Sequence, residues 1–176
     1  MLRKISKNKR GDASSIIIGL VVMVFVIGII ALFAGKIIPM LMSAMKTTST
    51  FAESNNTVNA LTTVETKSIP WLDYFFLFVF FGTILGLIIS CIYIDTHPAF
   101  MIFFAILLVL AVIFAGIFAN AYITIGETDA MSATYNQFTA TKAIFNNLPL
   151  ILFVVGLIVM IILYGKSRSS AGGGPM

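Results

Sequence analysis

The chain has 176 residues, 59% of them hydrophobic and only 10% charged, with a mean hydropathy of +1.04. A soluble domain carries about 25% charged residues, so this composition excludes a mostly water-exposed surface and makes lipid the principal solvent. The net charge of +4 is concentrated ahead of the first apolar run, where a membrane surface accounts for it better than a nucleic-acid-binding domain does.

Residues 1–12 form a basic tail in which Arg3, Lys4, Lys7, Lys9 and Arg10 precede the first acid, Asp12. Placed directly before a spanning helix, this cluster is a positive-inside signal and an anchor for anionic lipid head groups. If the chain meets nucleic acid, this tail is the part that does so, although no aromatic residue is interleaved for base stacking. The predicted first span, with its extension, covers residues 13–45. Ile16–Ala34 carries no charge and is long enough to cross the hydrocarbon, which takes roughly 17–25 residues. Lys36 marks the exit, and Pro39 predicts a kink in the apolar extension that follows. Lys9-Arg10-Gly11-Asp12-Ala13 ahead of an apolar helix resembles the processing site of archaeal type IV pilin and archaellin precursors, which are cut after the glycine. That resemblance implies a pilin-like assembly protein. It covers only this site and the first helix, and the rest of the chain departs from a family whose mature members have one membrane helix.

Residues 46–68 are rich in Thr, Ser and Asn. Phe51, Val58, Leu61 and Val64 recur at near-helical spacing, predicting an amphipathic helix that lies on the membrane or rises from it. The three-helix membrane region, residues 69–164, opens at Ile69-Pro70-Trp71, with proline at a helix start. Trp71 and Tyr74 suit the head-group belt, and Asp73 falls in the first turn, where a helix N-terminus favours a carboxylate. Within the second span, 71–94, Gly82, Gly86 and Ser90 stand four apart among Phe, Leu and Ile. Such a stripe allows close helix approach in lipid, so it is expected to be the packing centre of the bundle, or else to meet the same stripe of a neighbouring copy. Phe80 is expected to face lipid. Cys91, the only cysteine, has neither a disulfide partner nor zinc-type spacing and reads as a packed hydrophobe.

Asp95-Thr96-His97-Pro98 is a tight turn that makes spans two and three a helical hairpin. A lone histidine with one carboxylate beside it is a poor metal site. The third span, 99–123, carries a second small-residue stripe, Ala111, Ala115 and Ala119, expected to face the stripe of span two. Asn120 and Tyr122 mark its far interface. Residues 126–147 form the second polar segment, where Met131, Tyr135, Phe138 and Phe145 fall near one helical face. The fourth span, 148–164, follows Leu148-Pro149 and is succeeded by Lys166 and Arg168, expected with the N-terminal cluster to meet head groups or a partner. The remaining tail, 165–176, has the composition of a flexible linker.

Four spans put both termini on one side of the membrane. Seven Lys and Arg lie there against Asp12 and Asp95, whereas the other side carries four lysines against five acids, which predicts cytoplasmic termini or their equivalent face in a virion. No acid, base or arginine occupies the middle of a span, so a proton relay or ion-coupled transporter lacks material. No catalytic, cofactor or metal motif is visible. The fold expected is all-α, an integral membrane protein of four transmembrane helices. The function expected is non-enzymatic and structural, in homo- or hetero-oligomers with other membrane or capsid-type proteins. In overall style the chain resembles the small multi-span membrane proteins of lipid-containing viruses and phages: short, Phe- and Ile-rich, basic at one end. An accessory subunit of a cellular membrane complex, a holin-like pore former and the pilin-like assembly protein are the alternatives.

Overall fold

A computed structural model describes residues 12–48, 54–93 and 98–171. The basic tail, the turn at 94–97 with His97, and the side chain of Arg168 lie outside the described residues. Among the described residues there are five helices: α1 (Asp12–Lys46), α2 (Asn55–Tyr93), α3 (Pro98–Gly126), the single turn α4 (Ser132–Tyr135) and α5 (Thr139–Ala171). The four long ones are each long and apolar enough to cross a bilayer, and no strand occurs among the described residues. The protein is therefore an all-α, four-span integral membrane protein.

The spans form a ring in which α1 packs on α2 and α3, and α5 on α2 and α3. Their directions follow from residues at equal depth. Phe25 stacks on Phe118, and about a turn or two earlier on both helices Ile18, Val21 and Val22 line one cleft with Ala111 and Phe114, so α1 and α3 run parallel. Phe76 stacks on Phe145, while Lys166 reaches the Ile92 carbonyl, so α2 and α5 are parallel as well. Each helix buries one heptad-like stripe: Ile17, Leu20, Val21, Val24, Ala31 and Leu32 on α1, and Phe76, Phe80, Leu87 and Cys91 on α2. Cys91 packs as the hydrophobe its context predicts.

Three expectations change here. Spans two and three do not form a packed hairpin. The two helices sit across the ring from each other, because α3 spends its flanks on α1 and α5. Second, the Gly82–Gly86–Ser90 stripe does not face the Ala111–Ala115–Ala119 stripe. The alanines are buried, whereas Gly82 and Gly86 are exposed, with no atom within 4 Å of where a Cβ would stand, and Ser90 is half-buried. The ring interior has to be filled, and α2 fills it with Phe76, Phe80 and Leu87. Phe80 is thus a core residue, not a lipid-facing one, and the glycines are left looking outward. Third, Pro70 and Pro149 do not stand at helix starts. Both lie inside continuous helices, so the polar residues 55–68 and 139–147 are helical extensions of α2 and α5 rising from the membrane. The stretch 127–138 is not one helix but turns around α4. Its Tyr135 and Phe138, and Phe145 beyond it, are buried although they do not share one helix.

Close approach is achieved by other glycines. A Cβ on Gly28 would stand 2.5 Å from the Phe145 ring, one on Gly35 2.7 Å from Phe138, and one on Gly156 would collide with Leu108. The Phe145 ring cannot give way, since it is stacked between Tyr122 and Phe76. Overpacking a well-filled core costs about 1–3 kcal/mol. Gly28→Leu is therefore expected to lower the thermal midpoint of the protein in detergent clearly, and Gly86→Leu to leave it unchanged. Equal effects of the two substitutions would contradict this packing.

Candidate functional site

The buried polar groups converge at one end of the ring, where α3 ends and α5 begins. At the start of α5 the first N–H groups have no carbonyl one turn earlier to bond to. Asp73, near the middle of α2 and only 7% exposed, supplies the missing acceptors. Its Oδ2 accepts the Ala140 N–H at 2.9 Å, and its Oδ1 accepts the Thr141 N–H at 2.7 Å and the Thr141 hydroxyl at 2.6 Å. Thr141 is fully buried. A carboxylate at a helix N-terminus is favoured by the aligned peptide dipoles, and hydrogen bonds to a charged acceptor are stronger than neutral ones.

Around this clasp lies an aromatic layer. The Tyr122 ring stacks on Phe145 at 3.8 Å between centroids, and Tyr135 meets Tyr122 edge-on at 5.8 Å. Gly126 ends α3 with its backbone against the Tyr135 ring. Lys142 sits 4.6 Å from the same ring centroid and donates to Asn136 Oδ1 at 3.2 Å, a cation–π arrangement. Both tyrosine hydroxyls are buried without a hydrogen-bond partner. Burial, and secondarily the negative charge of Glu127, raises the Tyr135 phenol above its ordinary pKa.

At the opposite end of the same helix pair, Lys166 Nζ donates to the Ile92 carbonyl at 2.8 Å, near the C-terminus of α2. Lysine near a helix C-terminus satisfies a free carbonyl and matches the dipole. Lys166 was expected to serve lipid head groups or a partner, and the structure adds this internal contact.

The junction did not emerge from the sequence. Asp73 was read as serving the N-terminus of its own helix. That helix begins at Asn55, well upstream, and the N-terminus the carboxylate serves belongs to α5. Tyr122, expected at the far interface with Asn120, turns into the ring and is wholly buried, while Asn120, Trp71 and Tyr74 are exposed. Nothing in the spacing of Asp73 and Thr141 announces the pair. Chemically the arrangement closes helices. Among the described residues no group of three or more His, Cys, Asp or Glu could hold a metal. The cleft of about 130 Å³ between α1 and α3 is lined by apolar residues alone, among them Ile18, Val22, Ala111 and Phe118. No family model, curated protein or solved structure matches the chain.

Losing the clasp strands two amide donors and a hydroxyl in a buried site. Asp73→Ala is expected to cost about 1–3 kcal/mol, read as a lowered melting temperature, with Thr141→Val costing less because the amide bonds remain. The orphan hydroxyls give the opposite sign. Tyr135→Phe keeps the ring contacts and removes an unsatisfied group, so it should be neutral or stabilising by about 1 kcal/mol at pH 7. Because folding raises the Tyr135 pKa, the parent's stability is unaffected by this titration below the ordinary tyrosine value of about 10, and the protonated phenol's share of it is fully present there. It is lost as pH rises through the folded value. The melting temperature should thus fall more steeply above pH 10 in the parent than in Tyr135→Phe. Parallel curves would contradict the assignment.

Proposed function

We propose that the protein is a non-enzymatic structural membrane protein that works by packing into a larger assembly. The observation that carries this reading is the length of two helices. α1 has 35 residues and α2 has 39, about 52 and 58 Å at 1.5 Å per residue, against a hydrocarbon core of about 30 Å. Exposed Trp71 and Tyr74 on α2, Asn120 on α3, and Asn146 and Asn147 on α5 set the boundary at the far end of the ring. On α1 that level falls near Gly28, which lies against Phe145 and Phe76. The rest of α1 and the start of α2 continue outward as a two-helix arm, tied by an ion pair between Lys46 and Glu65. An arm of this kind serves contact, and the buried carboxylate of Asp73 serves fold closure.

The finer reading is a protein of the internal membrane of a lipid-containing virus. The basis is the overall style of the chain and the basic cluster Arg3, Lys4, Lys7, Lys9 and Arg10, which would meet head groups, a capsid-type protein or packaged genome from the side of the termini. The charge distribution supports cytoplasmic termini, or the equivalent virion face, with the arm on the opposite side.

Two measurements test this. Ser54→Cys and Ser169→Cys should react with an impermeant thiol reagent from opposite faces of sealed vesicles, and reaction of both from one face would refute the topology. In mildly solubilised native membranes the 19.1 kDa chain should sediment within a larger complex, and in density-purified particles it should accompany a capsid protein. A chain that always sediments alone would overturn the structural reading.

A further inference from the structure

We infer that Asn55, at the tip of the α1–α2 arm, is the acceptor of an N-linked oligosaccharide. This modification rests on the topology proposed above, which sets the arm on the side opposite the basic termini, and it gives that face a covalent carbohydrate.

The sequence supplies the acceptor pattern once. Of the eight asparagines in the chain, only Asn55 has a Ser or Thr two residues on with no proline between, in Asn55-Asn56-Thr57. This is the pattern that oligosaccharyl transfer uses on exposed segments. Short matches of this kind recur by chance, and what distinguishes this one is how the fold leaves its side chains.

Asparagine at the start of a helix ordinarily caps it, with its carboxamide turned onto the free N–H groups. Here Ser54 caps α2 instead. Its Oγ accepts the Thr57 N–H at 3.5 Å and its carbonyl accepts the Val58 N–H at 3.0 Å. Asn55 therefore falls at the first helical position, with its carboxamide outside the cap, and both it and Asn56 are exposed. The hydroxyls of the arm divide in the same way. Thr62, Thr63 and Thr66 each donate to the carbonyl one turn back, a bond that occupies the hydroxyl. Among the described residues nothing engages the Thr57 hydroxyl or the Asn55 carboxamide. The threonine whose hydroxyl the pattern needs is thus the one on this stretch of α2 that keeps it available.

Reach is the second requirement. α2 is one continuous helix from Asn55 to Tyr93. Asn55 stands sixteen residues before Trp71, about 24 Å along the axis at 1.5 Å per residue. Exposed Trp71 and Tyr74 mark the head-group belt, so the acceptor nitrogen is well clear of the bilayer. The exposed asparagines nearer the belt, Asn120, Asn146 and Asn147, lack the pattern.

The transfer is a substitution at the anomeric carbon of a polyprenyl-diphosphate-linked oligosaccharide. The Asn55 carboxamide nitrogen forms the new C–N bond and gives its proton to a base of the transferase. The C–O bond to the diphosphate breaks, and the polyprenyl diphosphate leaves with the electron pair. A bulky, solubilising glycan at this point holds the tip of the arm in water.

Translation of the full chain into microsomes of the endoplasmic reticulum supplies both transferase and donor. The parent should give a single slower band that peptide N-glycosidase returns to the unmodified position, leaving aspartate at 55 in the mapped peptide. Asn55→Gln and Thr57→Val should abolish the shift, whereas Asn56→Gln and Thr57→Ser, which preserves the hydroxyl, should retain it. Ser54→Cys combined with Asn55→Gln reports the face independently, since the native Cys91 is buried. It should react with an impermeant thiol reagent only after the microsomes are opened. No shift in the parent, with Ser54→Cys protected in the lumen, overturns the acceptor and leaves the topology standing. Ser54→Cys that reacts from outside sealed microsomes overturns both. A shift that survives Asn55→Gln overturns the assignment to this residue.

Discussion

The fold depends on a carboxylate placed at the N-terminus of a helix to which it has no sequence proximity. Four free N–H groups at a helix start are tolerable in water and costly where water is excluded. Asp73 satisfies two of them and the Thr141 hydroxyl as well. It thereby sets the depth at which α5 begins relative to α2. These two helices are parallel, so no short loop can join them directly, and their register has to come from side chains. Lys166, on the carbonyl of Ile92, performs the complementary task at the other end. A negative group at one helix N-terminus and a positive group at a C-terminus thus pin the same pair at both ends, in the sense the peptide dipoles favour.

With that pair held in register, the aromatic layer follows. Phe76, Phe145, Tyr122 and Tyr135 stack in sequence across α2, α5, α3 and α4, a column that touches three of the four spans. The fourth, α1, reaches it through Gly28. Small residues do permit close approach in this membrane bundle. They do so where a rigid ring or a branched side chain from another helix has to enter, at Gly28, Gly35 and Gly156. A regular stripe such as Gly82 and Gly86 is a poorer guide than the position of the large side chains, because the interior of a four-helix ring is governed by volume to be filled. The two buried hydroxyls are the cost of using tyrosines in that column.

Beyond Gly35, which lies against Phe138 and Thr134, the architecture narrows to two helices, α1 and α2. The α1–α2 arm has a polar side, contributed by the threonines and Lys67 of α2, and an apolar side contributed by α1. The apolar side belongs to α1 alone, where Ile37, Met40 and Leu41 are exposed. The one buried carboxylate among the described residues, Asp73, is committed to capping α5.

The sequence by itself determined the solvent, the number of spans and the all-α class, because each is decided by local composition: runs of apolar residues long enough to cross lipid, and few charges to interrupt them. It also determined that Cys91 would pack as a hydrophobe, since it stands in an apolar run with no partner for a disulfide or a metal. Tertiary structure alone decided which spans are neighbours. Ring order depends on how four rough surfaces share one interior, and the short turn between spans two and three does not prevent α2 and α3 from standing across from each other. Tertiary structure also decided the role of Asp73. A carboxylate in an apolar run signals only that it needs donors, and its donors at Ala140 and Thr141 lie far along the chain, brought to it by the packing of α5 against α2.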